Sequence, residues 1–256
     1  MSDVLEIHRE GRIVSIALNR PEKRNALNVQ LCAELVGALE AADEDAGVGA
    51  ILLSGTGKCF CAGMDLSEIG GAATDEISRV QERLFTIGSR LRKPLVAAVH
   101  NAALAGGTGL AANCHIVIAR DDAAFGLTEI RLALWPFLVF RAMTAAIGER
   151  RTVELALTGR VFPAAEAREI GLVHEVAANA TERAREVARG LADSSPTAIA
   201  SGLGFVAEAR GKDWKTGGAI ARRVRDQVFE SKDFQEGLQS FREKREARWP
   251  SLAAPR

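Results

Sequence analysis

The stretch GKCFCAGMDL, residues 57–66, sets Cys59 and Cys61 one residue apart and follows them with Gly63, Met64 and Asp65. Two chemistries can use such a stretch. Thiolates can hold a metal or a redox partner, or small residues can let main-chain N–H groups come close to a ligand. A zinc site wants C-x₂₋₄-C pairs with further ligands at similar spacing elsewhere. Cys59 and Cys61 are too close for that, Cys32 and Cys114 stand alone, and His8, His100, His115 and His174 are scattered singly. No metal is expected. The cysteines read as small buried hydrophobes, which leaves the backbone as the useful part.

A second glycine-rich stretch, LAGGTGLAAN, occupies residues 104–113. Gly107, Gly109 and Ala112 fit G-x-G-x-x-A, and Glu129 follows at about the distance a dinucleotide-binding loop requires. That loop should pass directly from a strand into a helix near the start of a βαβ unit. Here HNAALAG intervenes after LVAAV, and the run follows two earlier strand–helix alternations, so a nicotinamide oxidoreductase is a poorly placed alternative. A serine hydrolase has no G-x-S-x-G to support it. The two small-residue stretches offer a third chemistry together. Each follows a buried strand, and two N–H groups converging on one oxygen make an oxyanion hole. A helix starting near Gly107 would add the positive end of its dipole. Ordinary tight connections would carry the same residues, so spacing alone leaves this open.

The elements that would position these loops are legible. VLEIHRE and RIVSIALN, parted by a glycine turn, predict a β-hairpin. Cys32 and Val36 join Leu31, Leu35 and Leu39 on one helical face. VGAILLSG, LVAAV and HIVIA are short apolar runs of the kind that form buried strands. Ile77, Val80, Leu84, Ile87 and Leu91 recur at helical spacing after Thr74, the expected cap. Pro136 opens a half that reads as helices only, with Pro163 and Pro196 marking helix starts. Strands alternating with helices, then helices alone, predict an α/β core over residues 1–195 and a helical segment over 196–256.

The chain has 256 residues, with 33 Lys and Arg against 33 Asp and Glu. That length closes a sizeable core without disulfides, and the zero balance argues against a broad nucleic-acid footprint. No apolar run reaches the ~18 residues of a membrane span. The N-terminus MSDVLEIHRE lacks a signal-peptide pattern, and unpaired cysteines fit a reducing compartment, so the expected location is cytoplasmic.

Six stretches taken in order carry a family resemblance: LNRPEKRNALN (18–28), GKCFCAGMDL (57–66), ALAGGTGLAANCHIVIA (103–119), AFGLTEIRLAL (124–134), ALTGRVFPAAEAREIGLVHEV (156–176) and EGLQSFREKR (236–245). The sequence resembles the crotonase, or enoyl-CoA hydratase/isomerase, superfamily. The resemblance implies an α/β spiral of β-β-α units with a helical C-terminal region, assembled as a homotrimer or as a dimer of trimers. It implies an acyl-CoA thioester as substrate, with coenzyme A arriving on the substrate and no separate cofactor. The oxyanion donors would be the N–H groups of Met64 and Gly106, within loops that include Ala62, Gly63, Asp65, Leu66 and Gly107. The coenzyme A loop would use backbone at Ala26 and Leu27, with Lys23 and Arg24 facing phosphates; Arg20, Lys23 and Arg24 could equally be a solvated charge cluster. Phe241 and Lys244 match positions that in relatives reach adenine, often across a subunit interface.

Relatives that hydrate commonly carry two glutamates. By resemblance the second is Glu129, and the first falls on position 109, where this chain has glycine. Glu129 lies between Leu127 and Ile130, where partial burial would raise its pKa towards neutrality and suit it to proton transfer. One carboxylate can take a proton from one carbon and return it to another, so Gly109 favours isomerisation of a Δ3 to a Δ2 double bond over hydration. Loss of activity, leaving an acyl-CoA-binding pseudoenzyme, is the other alternative. WPFLVFRAM replaces the Pro and Gly-rich continuation usual in hydratases, so Trp135, Phe137, Leu138 and Phe140 reshape the acyl pocket or belong to the core. His100 is expected to be a hydrogen-bonded structural residue.

Overall fold

The computed structural model describes residues 3–68 and 73–252. The predicted hairpin forms from β1 (Leu5–Glu10) and β2 (Ile13–Leu18), antiparallel, with Leu5 opposite Leu18 and Glu10 opposite Ile13. Asn28 accepts a hydrogen bond from the Leu31 N–H at 3.0 Å and starts α1 (Val29–Glu44), whose Leu31, Cys32, Leu35, Val36 and Leu39 are all buried. β3 (Ala50–Gly55) returns parallel to β2. After α2 (Ala73–Ile87), β4 (Leu95–Val99) lies parallel to β3. Thr74 lies within α2, not at its cap, because the helix is already under way at Ala73.

The chain next makes two similar excursions. β4 belongs to the large sheet, and β5 (Ala102–Leu104), three residues on, belongs to a small one. α3 (Gly106–Ala112) follows, and the pattern repeats with β6 (Ile116–Arg120) in the large sheet and β7 (Ala124–Gly126) in the small one. Each of these two excursions of the β-β-α spiral feeds both sheets. The half after Pro136 is not helical throughout. α4 (Phe137–Ile147), α5 (Glu149–Thr158) and α6 (Ala164–Glu169) are joined by β8 (Val161–Pro163), and β9 (Glu175–Ala177) follows. Both strands have only three residues, too few to show a period in the sequence. The sheets read β1-β2-β3-β4-β6-β9 and β5-β7-β8.

One face of the large sheet is covered by α7 (Ala180–Ala192). Ala180, Ala184, Ala188 and Ala192 recur every fourth residue, forming one stripe against Ile13, Ala50, Leu52, Val96, Ala98 and Ile118. Alanine lets the helix lie close. The opposite face holds the larger core, where Phe60, Phe125 and Phe162 are fully buried beside Leu31, Leu35 and Leu53. Three helices complete the described chain: α8 (Pro196–Ala209), α9 (Trp214–Phe229) and α10 (Lys232–Glu243). α10 packs mainly on α8 and α9. Pro163 and Pro196 do stand at helix starts.

Candidate active site

The loop after β3 runs between two other segments and is bonded to both. On one side, the Cys61 N–H donates to Ala102 O at 3.1 Å, and the Leu104 N–H donates to Cys61 O at 3.0 Å. On the other, the Leu27 N–H donates to Gly63 O at 2.7 Å and the Asp65 N–H to Leu27 O at 3.1 Å. Met64 therefore sits between two main-chain bonds to Leu27. Neither the Met64 nor the Gly106 N–H has an acceptor among the described residues.

Gly63 has φ +97°, and a Cβ there would lie 2.9 Å from Leu104 O and 3.4 Å from the Gly106 nitrogen. No side chain fits, and that close approach sets the two loops side by side. Ala105, just before Gly106, has φ 49° and ψ −120°, a conformation unusual outside glycine. Its N–H is tied to Gly126 O at 2.7 Å, so the distortion is held by the neighbouring strand. Gly106 then begins α3, and Gly107 is buried against Cys61.

The same strand pair brings in the carboxylate. β5 and β7 are parallel with Leu104 opposite Gly126, so Gly106 and Glu129 leave the same end of adjacent strands. Thr108 strengthens the join, its Oγ1 lying 2.6 Å from Ala103 O and accepting the Gly126 N–H at 3.1 Å. Glu129 opens a 3-10 turn (Glu129–Leu132) with its side chain buried. Its Oε2 is fully buried and has no hydrogen-bond partner among the described residues. Burial pushes its pKa up to about 6, partly opposed by a bond from its own backbone N–H. A carboxylate titrating there can both take and return a proton near neutral pH.

A Cβ on Gly109 would lie 2.1 Å from Val139 Cγ1 and 2.4 Å from Val139 Cβ. Val139 of α4 occupies the space that a side chain at 109 would need. This contact joins residues far apart in the chain and leaves no trace in local sequence.

The coenzyme-loop residues divide. Lys23 and Arg24 are exposed, Ala26 is half-buried and Leu27 is fully buried. Arg20 departs from the solvated-cluster reading: its side chain is 13% exposed and paired with Asp65 at 2.9 Å. Asn25 is buried with φ 56°, accepts the Arg20 N–H at 2.9 Å, and donates to Thr56 O and Cys59 O at 2.9 Å each. Arg20, Asn25, Ala105 and Val139 matter to the site and were not picked out as site residues by sequence. Only Asn25 carried a signal, since Asn tolerates the left-handed region.

Cys59 and Cys61 are buried free thiols, as expected. Cys61 Sγ donates to Asn25 O at 3.2 Å and Cys59 Sγ to Arg24 O at 3.5 Å, so they help hold the turn at residues 24–25. No group of three or more His, Cys, Asp or Glu that could hold a metal occurs among the described residues. Ala62 and Leu66 flank residues 63–65, Ala62 half-buried and Leu66 exposed. Trp135 is half-buried and packs near Phe140, ring centroids 6.0 Å apart. His100 Nε2 lies 3.1 Å from Gly57 O, a structural bond. Phe241 and Lys244 are exposed at the end of α10 and are not brought to these loops within one chain.

Similarity to known proteins extends over nearly the whole chain. The enoyl-CoA hydratase/isomerase family matches residues 8–251. A probable enoyl-CoA hydratase of Rhizobium meliloti is 37% identical over 256 residues, covering 96% of this chain and 97% of that protein. The crystal structure of an enoyl-CoA hydratase from Mycobacterium smegmatis superposes with TM-score 0.91 at 29% identity, covering 97% of this chain and 99% of the other. One from Bacillus anthracis gives 0.89 at 32% identity, with the same coverage. No helix among the described residues is long and apolar enough to cross a membrane. With its crotonase-type fold, the chain belongs to the enoyl-CoA hydratase/isomerase family and is an enzyme of that family.

Proposed function

We propose that the protein acts on enoyl-CoA thioesters by single-carboxylate proton transfer, moving a double bond from the Δ3 to the Δ2 position. The observation that carries the choice is Val139, whose side chain fills the place that a glutamate at 109 would need. Glu129 as carboxylate takes a proton from C2 of the 3-enoyl thioester. The electron pair moves onto the thioester oxygen, where the N–H groups of Met64 and Gly106 receive the charge, each worth on the order of 3 kcal/mol. Glu129, now the acid, returns the proton to C4, and the 2-enoyl product has gained and lost no atoms. The unpartnered Oε2 and raised pKa of Glu129 support this double role.

Lys23 and Arg24 are placed to meet the phosphates of coenzyme A, with main chain at Ala26 and Leu27 beside the pantetheine. Exposed Leu132, Leu134, Phe137 and Leu138, next in sequence to Glu129, supply apolar surface for the acyl chain or a neighbouring subunit. Self-association as a trimer or a dimer of trimers fits α8, an apolar helix without one buried residue, and Phe241, which is 82% exposed. In such an assembly Phe241 and Lys244 would serve a neighbouring site.

Hydration by Glu129 alone, through a relayed water, is the second reading, favoured by the hydratase names of the relatives. Mass spectrometry of 3-enoyl and 2-enoyl thioesters incubated with enzyme in H₂¹⁸O separates the two. Isomerisation changes retention without changing mass; hydration adds labelled water. Dominant water addition to the 2-enoyl thioester would replace the first reading with the second. Binding without turnover of either would leave a carrier.

A further inference from the structure

We propose that Arg20 and Asp65 form an internal latch that fixes the Met64 N–H, making the coenzyme loop and the oxyanion loop one mechanical unit. The proposal rests on the oxyanion reading above and adds residues that act on the hole without touching substrate.

The geometry supports a latch over a phosphate ligand. The guanidinium of Arg20 is spent inside the protein, Nη1 donating to Ala26 O at 2.5 Å and Nη2 to Asp65 Oδ2 at 2.9 Å. The partners are 13% and 7% exposed, so the pair is screened little by solvent. Asp65 Oδ1 accepts the Ser67 N–H at 3.1 Å and the Ser67 hydroxyl at 2.6 Å. Both carboxylate oxygens are therefore occupied, and the Asp65 N–H is bonded to Leu27 O. One turn further on, Glu68 accepts the Val29 N–H at 3.0 Å and an Asn28 side-chain N–H at 3.1 Å, tying the same loop to the first turn of α1.

The cross-links run between residues 20–29 and 63–68, and Met64 lies inside the bracket. Its neighbours Gly63 and Asp65 each bond Leu27, while Arg20 joins Asp65 to Ala26. The planar guanidinium reaches a carbonyl and a carboxylate at once with donors in a fixed fork; the ammonium of lysine, a point charge on a flexible stem, does not reproduce that fixed geometry. Misplacing one donor by about 1 Å is enough to cost ~100-fold in rate. The arrangement also gives coenzyme binding a route to the chemistry, because whatever rigidifies residues 20–28 also rigidifies the hole.

The test uses butanoyl-CoA labelled with ¹³C at the thioester carbonyl, read by infrared difference spectroscopy on wild type, Arg20→Lys, Asp65→Asn and the double variant, beside kcat and KM for enoyl-CoA. Wild type is expected to lower the carbonyl frequency on binding. Each single variant should lose much of that shift and roughly 10- to 100-fold in kcat, with KM nearly unchanged. The double variant should be no worse than the poorer single one, since both break the same bond. A wild-type band shift and kcat retained in Asp65→Asn, a near-isosteric change, would overturn the latch. So would a raised KM with unchanged kcat in Arg20→Lys, which would make Arg20 a coenzyme ligand. A wild-type carbonyl that does not shift would refute the oxyanion reading itself, and the latch with it.

Discussion

The two loops that flank Met64 and the segment that follows Glu129 are built on opposite terms. Around Met64 and Gly106, short main-chain bonds, an internal ion pair and a strained residue, Ala105, held by Gly126, fix the backbone, while the Met64 and Gly106 N–H groups themselves have no acceptor among the described residues. Beyond Glu129, a buried carboxylate oxygen has no partner and large apolar side chains stand in the open, Phe137 at 71% exposure. The first region holds its two open donors on a tightly bonded scaffold; the second leaves side chains themselves open. In the proposed mechanism the groups that receive charge are fixed beforehand, as electrostatic stabilisation requires. In the same proposal Glu129, which moves the proton, keeps a side-chain oxygen without a partner among the described residues, and the segment that meets the acyl chain keeps apolar surface exposed.

If that contrast holds, substitutions in the two regions should fail differently. The largest effect belongs to Glu129→Gln, expected to lower kcat by about 100- to 10,000-fold while calorimetric acyl-CoA binding changes little; retained turnover would remove Glu129 from the chemistry. At Gly109, even alanine must push against Val139. Gly109→Ala is expected to cost about 1–3 kcal/mol in denaturant unfolding, and Gly109→Glu should not create hydratase activity. Water addition by a folded Gly109→Glu protein would show that α4 yields easily.

The unmet valence of Glu129 also has a sign in stability. Its pKa is raised from 4.5 to about 6 by burial. The folded state therefore binds the proton more tightly than the unfolded chain, and the stability this brings is full below about pH 4.5 and lost as pH rises through 6. Glu129→Gln should thus gain up to about 2 kcal/mol over wild type at pH 7–8, with the gain vanishing near pH 4. Unfolding curves across that range check it; a constant difference would place the cause elsewhere. The same titration should make kcat/KM fall below about pH 6. At the other region, Ala105→Gly should relieve a non-glycine left-handed residue. About 1 kcal/mol of added stability with a modestly lower kcat is the expected outcome. Unchanged stability would mean Ala105 is not strained.

How legible all this was in sequence follows the range of the contacts. The hairpin, the α1 face and the buried strands β3, β4 and β6 were readable because their apolar periods are local. β8 and β9 were missed because three residues carry no period and their places are set by partners. The glycine loops stood out by composition, yet only resemblance across six blocks singled out Met64, Gly106 and Glu129. Val139 against Gly109 was invisible, since a steric fit between distant residues has no local signature. Arg20 looked like one of three surface cations until its partner was seen to be Asp65.

A crystal structure of Glu129→Gln with an enoyl-CoA thioester bound would test the account at its centre. Both the Met64 and Gly106 nitrogens should lie about 2.7–3.1 Å from the thioester oxygen, with the side chain at 129 facing the carbons between which the proton travels. A thioester oxygen held by other groups, or only one of the two N–H groups reaching it, would contradict it.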